Sequence, residues 1–328
     1  MADAKRSRAA RAASERALVR VVHHYGARPE FVVLGGLVPE LLCAGSGRRH
    51  AGTTDVDVQV DLEVACGAVN TARLENALRN AEFEPDTDRV WRWVADGTDV
   101  KTVVKFELLA DLDTEPNQAT VRFDACDHLG AVNLRGTGFA SRDPVVQRLT
   151  AKIGGDLLTV EVNVSGLAGF LLAKSAAARS RRLPKDWYDI AFVLLHNDVG
   201  GAAPAADVVR ARFEPDLGGG VRTALDDLLA NFTNPGDQGP VAYAEQMLTD
   251  HPELDAAVVA ADAVLAVEAF HRRLFDRAGA ASTVEVLARP HLEISRRVPT
   301  RRHRGSSDRA RPGDGRPCRR GRRVGQRA

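Results

Sequence analysis

The chain is poor in several features whose presence would point to other classes of protein. It has only four cysteines in 328 residues, Cys43, Cys66, Cys126 and Cys318, with no Cys-x-x-Cys spacing and no histidine at zinc-finger distance. That excludes a disulfide framework and a zinc-finger module, and reads the thiols as reduced and mostly buried. No run approaches the ~20 uninterrupted apolar residues that a membrane-crossing helix needs. Lys5, Arg6, Arg8 and Arg11 lead into a charged amphipathic segment where a leader would be short and apolar, so the sequence predicts a cytoplasmic protein with no membrane partner. No internal repeat is found.

The sequence has enough apolar residues, 44%, for a real core, and enough length for two domains of ordinary size. Its net charge of +1 conceals an asymmetry. Residues 296–328 carry thirteen Arg against two Asp, a local +11, which leaves the other 295 residues near −10. With almost no large apolar residue after Val298, that tail cannot bury enough surface to offset its ordering entropy and is expected to be disordered. It reads either as a solvated tail or as a phosphate-gripping arm for RNA.

Along the body, residues 7–25 carry Ala, Leu and Val at helical spacing and end at Gly26, an amphipathic first helix. Phe31–Leu34 is a short apolar strand that stops at Gly35-Gly36. One or two helical turns over Leu37–Cys43 and a polar Gly/Arg loop from Gly45 to Thr54 lead into Asp55–Val60, which alternates strictly. A helix over 70–82, a hairpin from Val90–Val94 and Val100–Leu109, and a strand at Thr120–Phe123 follow. After a short strand near Leu158–Val162 the texture becomes helical, with helices over Leu167–Arg179, Pro184–His196, Ala205–Phe213, Arg222–Phe232 and Ala256–Phe275. The sequence thus predicts an α+β domain over 1–164, a helical domain over 165–278 and a weakly structured remainder over 279–328.

The chemistry-bearing pattern is the alternating strand. Asp55, Asp57 and Gln59 share one face and the valines the other, which sets the two carboxylates in parallel about 6 to 7 Å apart, a span suited to bracketing divalent cations. Alone, this spacing fits a solvated edge strand equally well. The Gly35-Gly36 turn upstream adds backbone that can approach phosphates without Cβ interference.

Val33-Leu34-Gly35-Gly36 followed by Thr54-Asp55-Val56-Asp57-Val58 resembles the nucleotidyltransferase signature of DNA polymerase β relatives, in which a Gly-Gly or Gly-Ser turn precedes a hydrophobic-flanked Asp-x-Asp. The resemblance implies a polymerase β-like core, a mixed sheet with flanking helices, ahead of the helical domain. It also implies Mg²⁺ or Mn²⁺ held by Asp55, Asp57 and a third carboxylate from a neighbouring strand. Glu107 in Val104-Lys105-Phe106-Glu107-Leu108-Leu109 is the best match, with Asp111 as the fallback. Gly35, Gly36 and Thr54 would contact the NTP.

A second segment, Leu171-Leu172-Ala173-Lys174, Arg179 and Pro184-Lys185-Asp186-Trp187-Tyr188-Asp189-Ile190, is similar to that of AbiEii/AbiGii-type nucleotidyltransferases, known as toxins of toxin–antitoxin and phage-defence systems. The likeness covers residues 30 to 197. It implies transfer of a nucleoside monophosphate from an NTP to tRNA, another RNA or a protein, and a cognate antitoxin as partner. Lys174, Arg179 and Lys185 would neutralise triphosphate charge, and Asp189 would serve catalysis by orienting those cations or accepting a proton. As a phosphate ligand, Lys174 should be replaceable with little change in melting temperature. A structural alternative exists, because Asp186 in a first helical turn favours the helix dipole and Lys185–Asp189 is an ordinary i,i+4 pair.

Other features read more plainly. Trp187, Tyr188 and Ile190 belong to a core, His23-His24 is a partly exposed surface pair, and Asp61 and Glu63 are solvated. Gly218-Gly219-Gly220 lacks the preceding strand and following Lys-Ser/Thr of a P-loop. Two further readings share the same site residues: a nucleotidyltransferase acting on a small molecule such as an antibiotic, and an inactive fold kept for binding.

Overall fold

A computed structural model of the chain describes residues 7–60, 68–96 and 103–276. The Arg-rich segment 296–328, Asp61, Glu63, Cys66 and Cys318 lie outside the described residues.

Helix α1 (Arg8–Tyr25) starts where the Ser7 hydroxyl accepts from the Ala10 N–H, and ends at Gly26, which takes the left-handed conformation that closes a helix most cheaply. Strand β1 (Val32–Leu34), a short helix α2 (Val38–Leu42) and β2 (Asp55–Gln59) follow, and then helix α3 (Ala68–Asn80). Strands β3 (Glu84–Pro85), β4 (Arg92–Asp96), β5 (Val103–Ala110), β6 (Thr120–Arg122) and β7 (Gly130–Asn133) lead to the single turn α4 (Gly138–Ser141). A long antiparallel hairpin, β8 (Pro144–Ile153) and β9 (Asp156–Ser165), completes the sheet. The remaining described elements are helical: α5 (Leu167–Arg181), α6 (Pro184–His196), α7 (Ala202–Phe213), α8 (Gly219–Ala230), α9 (Gln238–Asp250) and α10 (Ala256–Phe275).

The sheet is mixed, in the order β3-β4-β5-β2-β1-β9-β8, with β7 joining β5 and β6 pairing β7. Strand β2 lies antiparallel to β1 and parallel to β5, so the period-two strand of the sequence sits at the centre of the sheet. Its alternation sorts the two faces: Val56 and Val58 are fully buried in the core with Leu18 and Val22 of α1 and Leu78 of α3, while Asp55 and Asp57 turn to the opposite face. The change from strand to helix falls between Ser165 and Leu167, and the described residues on both sides of it belong to one compact unit.

Four elements, β7, β8, β9 and α9, differ from the sequence expectation. The strand near Leu158–Val162 is ten residues long, and its equally long partner β8 was not expected at all; the Gly154-Gly155 pair, both at positive φ, makes the turn between them. Strand β7 was not expected, because four buried residues are too few to show a period. Helix α9 is masked in the sequence by Gly236, Gly239 and Pro240, yet Pro240 sits in its first turn, where the missing N–H costs nothing. The core assignment of Trp187, Tyr188 and Ile190 holds, since all three are at most 1% exposed. His23 and His24 are exposed.

Trp187 packs edge-on against Phe232 and anchors α6 to the helical layer. Trp187→Ala should therefore lower stability by about 3 to 5 kcal/mol, the cost of emptying a fully buried aromatic site. Urea unfolding followed by circular dichroism checks this; a loss under ~1 kcal/mol would mean that α6 is not held by this side chain.

Candidate functional site

The site follows from register. Leu34 of β1, Asp57 of β2, Glu107 of β5 and Arg92 of β4 stand in one row across four strands, and side chains in such a row share a face with Cβ atoms about 4.5 to 5.5 Å apart. The next row on that face holds Asp55 and Lys105. Three carboxylates are thus gathered on one surface by strand pairing alone. Arg92 donates to Glu107 Oε1 from Nε at 2.6 Å, and its Nη2 lies 2.5 Å away. Asp55 faces the ammonium groups of Lys105 at 3.3 Å and Lys185 at 3.8 Å, and the Thr54 hydroxyl lies 3.4 Å from it.

Asp57 differs from its neighbours. It makes no hydrogen bond or ion pair among the described residues. Burial first, then the charges of Glu107 and Asp55, push its carboxyl up to about 7, with Lys185 and Lys174 only partly offsetting them. Gly35 explains how the turn fits against it. Its φ is +74°, and a Cβ there would lie 1.9 Å from Asp57 Oδ2, so only glycine lets the chain pass over the carboxylate. Gly36 is equally constrained, since a Cβ would meet that of Thr53 at 2.7 Å.

Helices α5 and α6 close the carboxylate face. A two-residue elbow joins them, with Arg182 in the left-handed conformation and Pro184 opening α6. The elbow brings Lys174 of α5 against two carboxylates of α6, at 3.0 Å from Asp186 Oδ1 and 2.7 Å from Asp189 Oδ2. Arg181 grips Asp186 with two parallel hydrogen bonds of 2.7 and 2.8 Å. On the far side of Asp189, His50 Nε2 lies 2.9 Å from Oδ1, while His50 Nδ1 accepts from the Gly52 N–H at 3.2 Å. That assigns the proton to Nε2, which donates to Asp189. The Tyr188 hydroxyl accepts from the Ala51 N–H at 3.0 Å, so the loop entering β2 is pinned to α6 at two points. Burial alone would lower the Lys174 ammonium, but Asp189 and Asp186 outweigh it and the net shift is upward; for Asp186, Lys174 and Arg181 overcome burial and hold the carboxyl below its usual range.

A small cavity of about 70 Å³ lies between the sheet and α5, lined by Gly35, Asp57, Glu107, Lys174 and Arg181 among others. The structure therefore brings Gly35, Asp57, Glu107 and Lys174 together, with Asp55, Thr54 and Lys185 beside them. Arg179 is not among them: it faces a separate cavity on the other side of α5, and Arg181 stands where Arg179 was expected. Asp189 is fully buried, held by Lys174 and His50. Lys174 pairs with Asp189, and Lys185, which the structural alternative set against Asp189, lies 3.8 Å from Asp55. Asp111 accepts the N–H groups of Gly136 and Gly138 and serves that turn, whereas Glu107 stands beside Asp57 in the same row. His50, Arg92 and Arg181 were not anticipated from the sequence.

Asp55, Asp57 and Glu107 supply hard oxygen donors of the kind Mg²⁺ and Mn²⁺ take, and Asp57 offers the one carboxylate of the three without a cation against it. Among the described residues no three His, Cys, Asp or Glu side chains converge as a ready metal centre. The donor chemistry suits a divalent cation, but Arg92 stands against Glu107, and Lys105 and Lys185 stand against Asp55.

Lys174 and Arg181 balance Asp186 and Asp189 in charge, so removing Lys174 leaves buried carboxylate unpaired. Against the expectation from a simple phosphate ligand, Lys174→Met should cost about 3 to 5 kcal/mol of stability, whereas Lys185→Met, partly exposed and 3.8 Å from Asp55, should cost less than about 1 kcal/mol. Denaturant midpoints of the two variants decide it; equal, small losses would show that the buried cluster contributes nothing to the fold.

No protein-family profile and no curated protein matches the chain. Among solved structures, it is similar to the crystal structure of an antigenic nucleotidyltransferase-like protein from Paracoccidioides brasiliensis, at 16% identity and a TM-score of 0.38, over 78% of this chain and 95% of that one.

Proposed function

We propose that the protein is a nucleotidyltransferase that moves a nucleoside monophosphate from an NTP to an acceptor, with Asp55, Asp57 and Glu107 holding Mg²⁺ or Mn²⁺. One observation carries the reading: Asp57 has no ion pair among the described residues, stands between two further carboxylates and lies directly beneath a glycine-only turn. A protein that used this strand only for packing has no reason to keep three carboxylates together, since each raises the cost of ionising the next. The resemblance of the Gly35-Gly36 and Asp55-Val56-Asp57 segments to polymerase β relatives supports the same reading.

A bound divalent cation would supply charge for the triphosphate and polarise the phosphoryl group. The chain's own residues divide the remaining work. Gly35 and Gly36 keep the approach to Asp57 free of side-chain atoms. Arg181, at the cavity wall, and Lys185 and Lys105, beside Asp55, are cations within reach of phosphate oxygens. Lys174, Asp186, Asp189 and His50 position rather than react: they fix α5 and α6 against the loop that delivers β2.

The Lys174 to Asp189 segment extends the proposal to the AbiEii/AbiGii type. On that reading the acceptor is tRNA, another RNA or a protein hydroxyl, and an antitoxin restrains the activity. The test is incubation of purified protein with each α-labelled NTP, Mg²⁺ and total tRNA. Label on RNA or on the protein is expected from the wild type, and none from Asp57→Ala or Asp55→Ala, whose folds should persist with Asp57→Ala slightly stabilised. Transfer retained by both variants would remove the metal assignment; transfer only to an added aminoglycoside would favour a small-molecule acceptor.

A further inference from the structure

A cavity larger than the one between the carboxylates lies beside it. It encloses about 470 Å³ on the opposite face of α5, within the range of small-molecule sites. At 100° per residue, Phe170, Ala173, Lys174, Ala177 and Arg181 turn one face of α5 to the carboxylate cavity, while Leu172, Ser175, Ala176 and Arg179 turn the other to this one.

Its lining is chemically one-sided. The whole chain carries 45 basic and 44 acidic side chains, yet the wall of this cavity holds Arg135 and Arg179 and no acidic residue. Arg135 is engaged by Asp113 at 2.6 Å. Arg179 has no hydrogen bond or ion pair among the described residues and is exposed, so its five N–H donors are free to meet a ligand. The bed between the two arginines is apolar, made by Phe139, Leu172 and Leu225. Such a lining favours a ligand with an anionic group at one end and an apolar or planar body. A purely inorganic anion would leave the bed unused, and a neutral apolar molecule would leave Arg179 desolvated without a partner.

We infer that this cavity is a second small-molecule site, distinct from the carboxylate cavity, for a phosphate monoester with a planar or apolar body such as a nucleoside monophosphate. The inference is independent of nucleotidyl transfer, since it concerns binding without divalent cation. The two cavities share a wall: Arg135 and Gly136 border this one, and Leu134 and Thr137 border the other. Gly136 makes the shared wall thin, with φ +90° and a would-be Cβ only 2.5 Å from that of Ala176.

The test is titration of the full chain with AMP in EDTA, by calorimetry and by protein NMR. Wild type should bind AMP more tightly than inorganic phosphate. Arg179→Ala should weaken AMP by roughly tenfold or more, the scale of one charge-assisted hydrogen bond, and Arg179→Glu should weaken it further. Asp57→Asn, at the other cavity, should bind AMP as the wild type does. Because Arg179 is exposed, its variants should fold, and unchanged circular dichroism confirms that. The inference is overturned if AMP does not bind at millimolar concentration, if the Arg179 variants bind it undiminished, or if Asp57→Asn abolishes binding, which would place the nucleotide among the carboxylates. Loss of transfer activity in Asp57→Asn would leave this result untouched.

Discussion

An ammonium group placed between two fully buried carboxylates must be held there by good geometry, because desolvating each charge costs several kcal/mol before any attraction is counted. Lys174 meets that condition through the α5–α6 elbow, which sets Asp186 and Asp189 on either side of it, and through Arg181 and His50, which satisfy the outer oxygens. Much else depends on this cluster. It fixes the angle between two helices, ties α6 to the loop before β2 through His50 and Ala51, and so determines how the roof of the carboxylate cavity sits over the sheet.

Against this satisfied cluster stands an unsatisfied one on the sheet. The same register that pairs Arg92 with Glu107 and Lys105 with Asp55 sets Asp57 in the row of Glu107 and next to Asp55, with no hydrogen bond or ion pair of its own among the described residues. The two clusters differ in kind. One is closed, balanced in charge and buried; the other pairs Glu107 and Asp55 with cations but leaves Asp57 without an ion pair among the described residues, and opens on a cavity beneath a glycine turn. On the proposed function, a fold that brings both to one place would hold the roof rigid over the carboxylates, the division of labour expected of a site built on well-supported elements.

Much of this is legible in the sequence because it is local. The alternation of Asp55 to Val60 forecast which face each side chain takes, and helices α6 and α10 lie where the apolar period put them. What escaped is what depends on distant partners. His50 stands in a Gly/Arg loop with no periodic signal, and meets Asp189 only when the chain folds back across 139 positions. Arg92 finds Glu107 through strand pairing that no spacing reveals. Arg181 was recoverable: it is seven residues from Lys174 and shares its helix face, whereas Arg179, five away, is turned by about 140°. Strand β8 was hidden because its residues are mostly exposed, with Val145 and Val146 exposed on opposite faces, which blurs the alternation.

The central claim is that Asp57 is a carboxylate kept short of charge compensation for a cation to supply. Its folded-state carboxyl titrates near 7, above the unfolded value of 3.8, so its contribution to stability is fully present below the unfolded value and is lost as pH rises through about 7. The direct measurement is thermal unfolding of wild type and Asp57→Asn from acid to mildly alkaline pH, with and without Mg²⁺. The account predicts that the variant gains on the wild type as pH rises, levels off above neutrality, and loses that advantage when Mg²⁺ is added. Equal melting temperatures at alkaline pH, or Mg²⁺ raising both proteins alike, would contradict it.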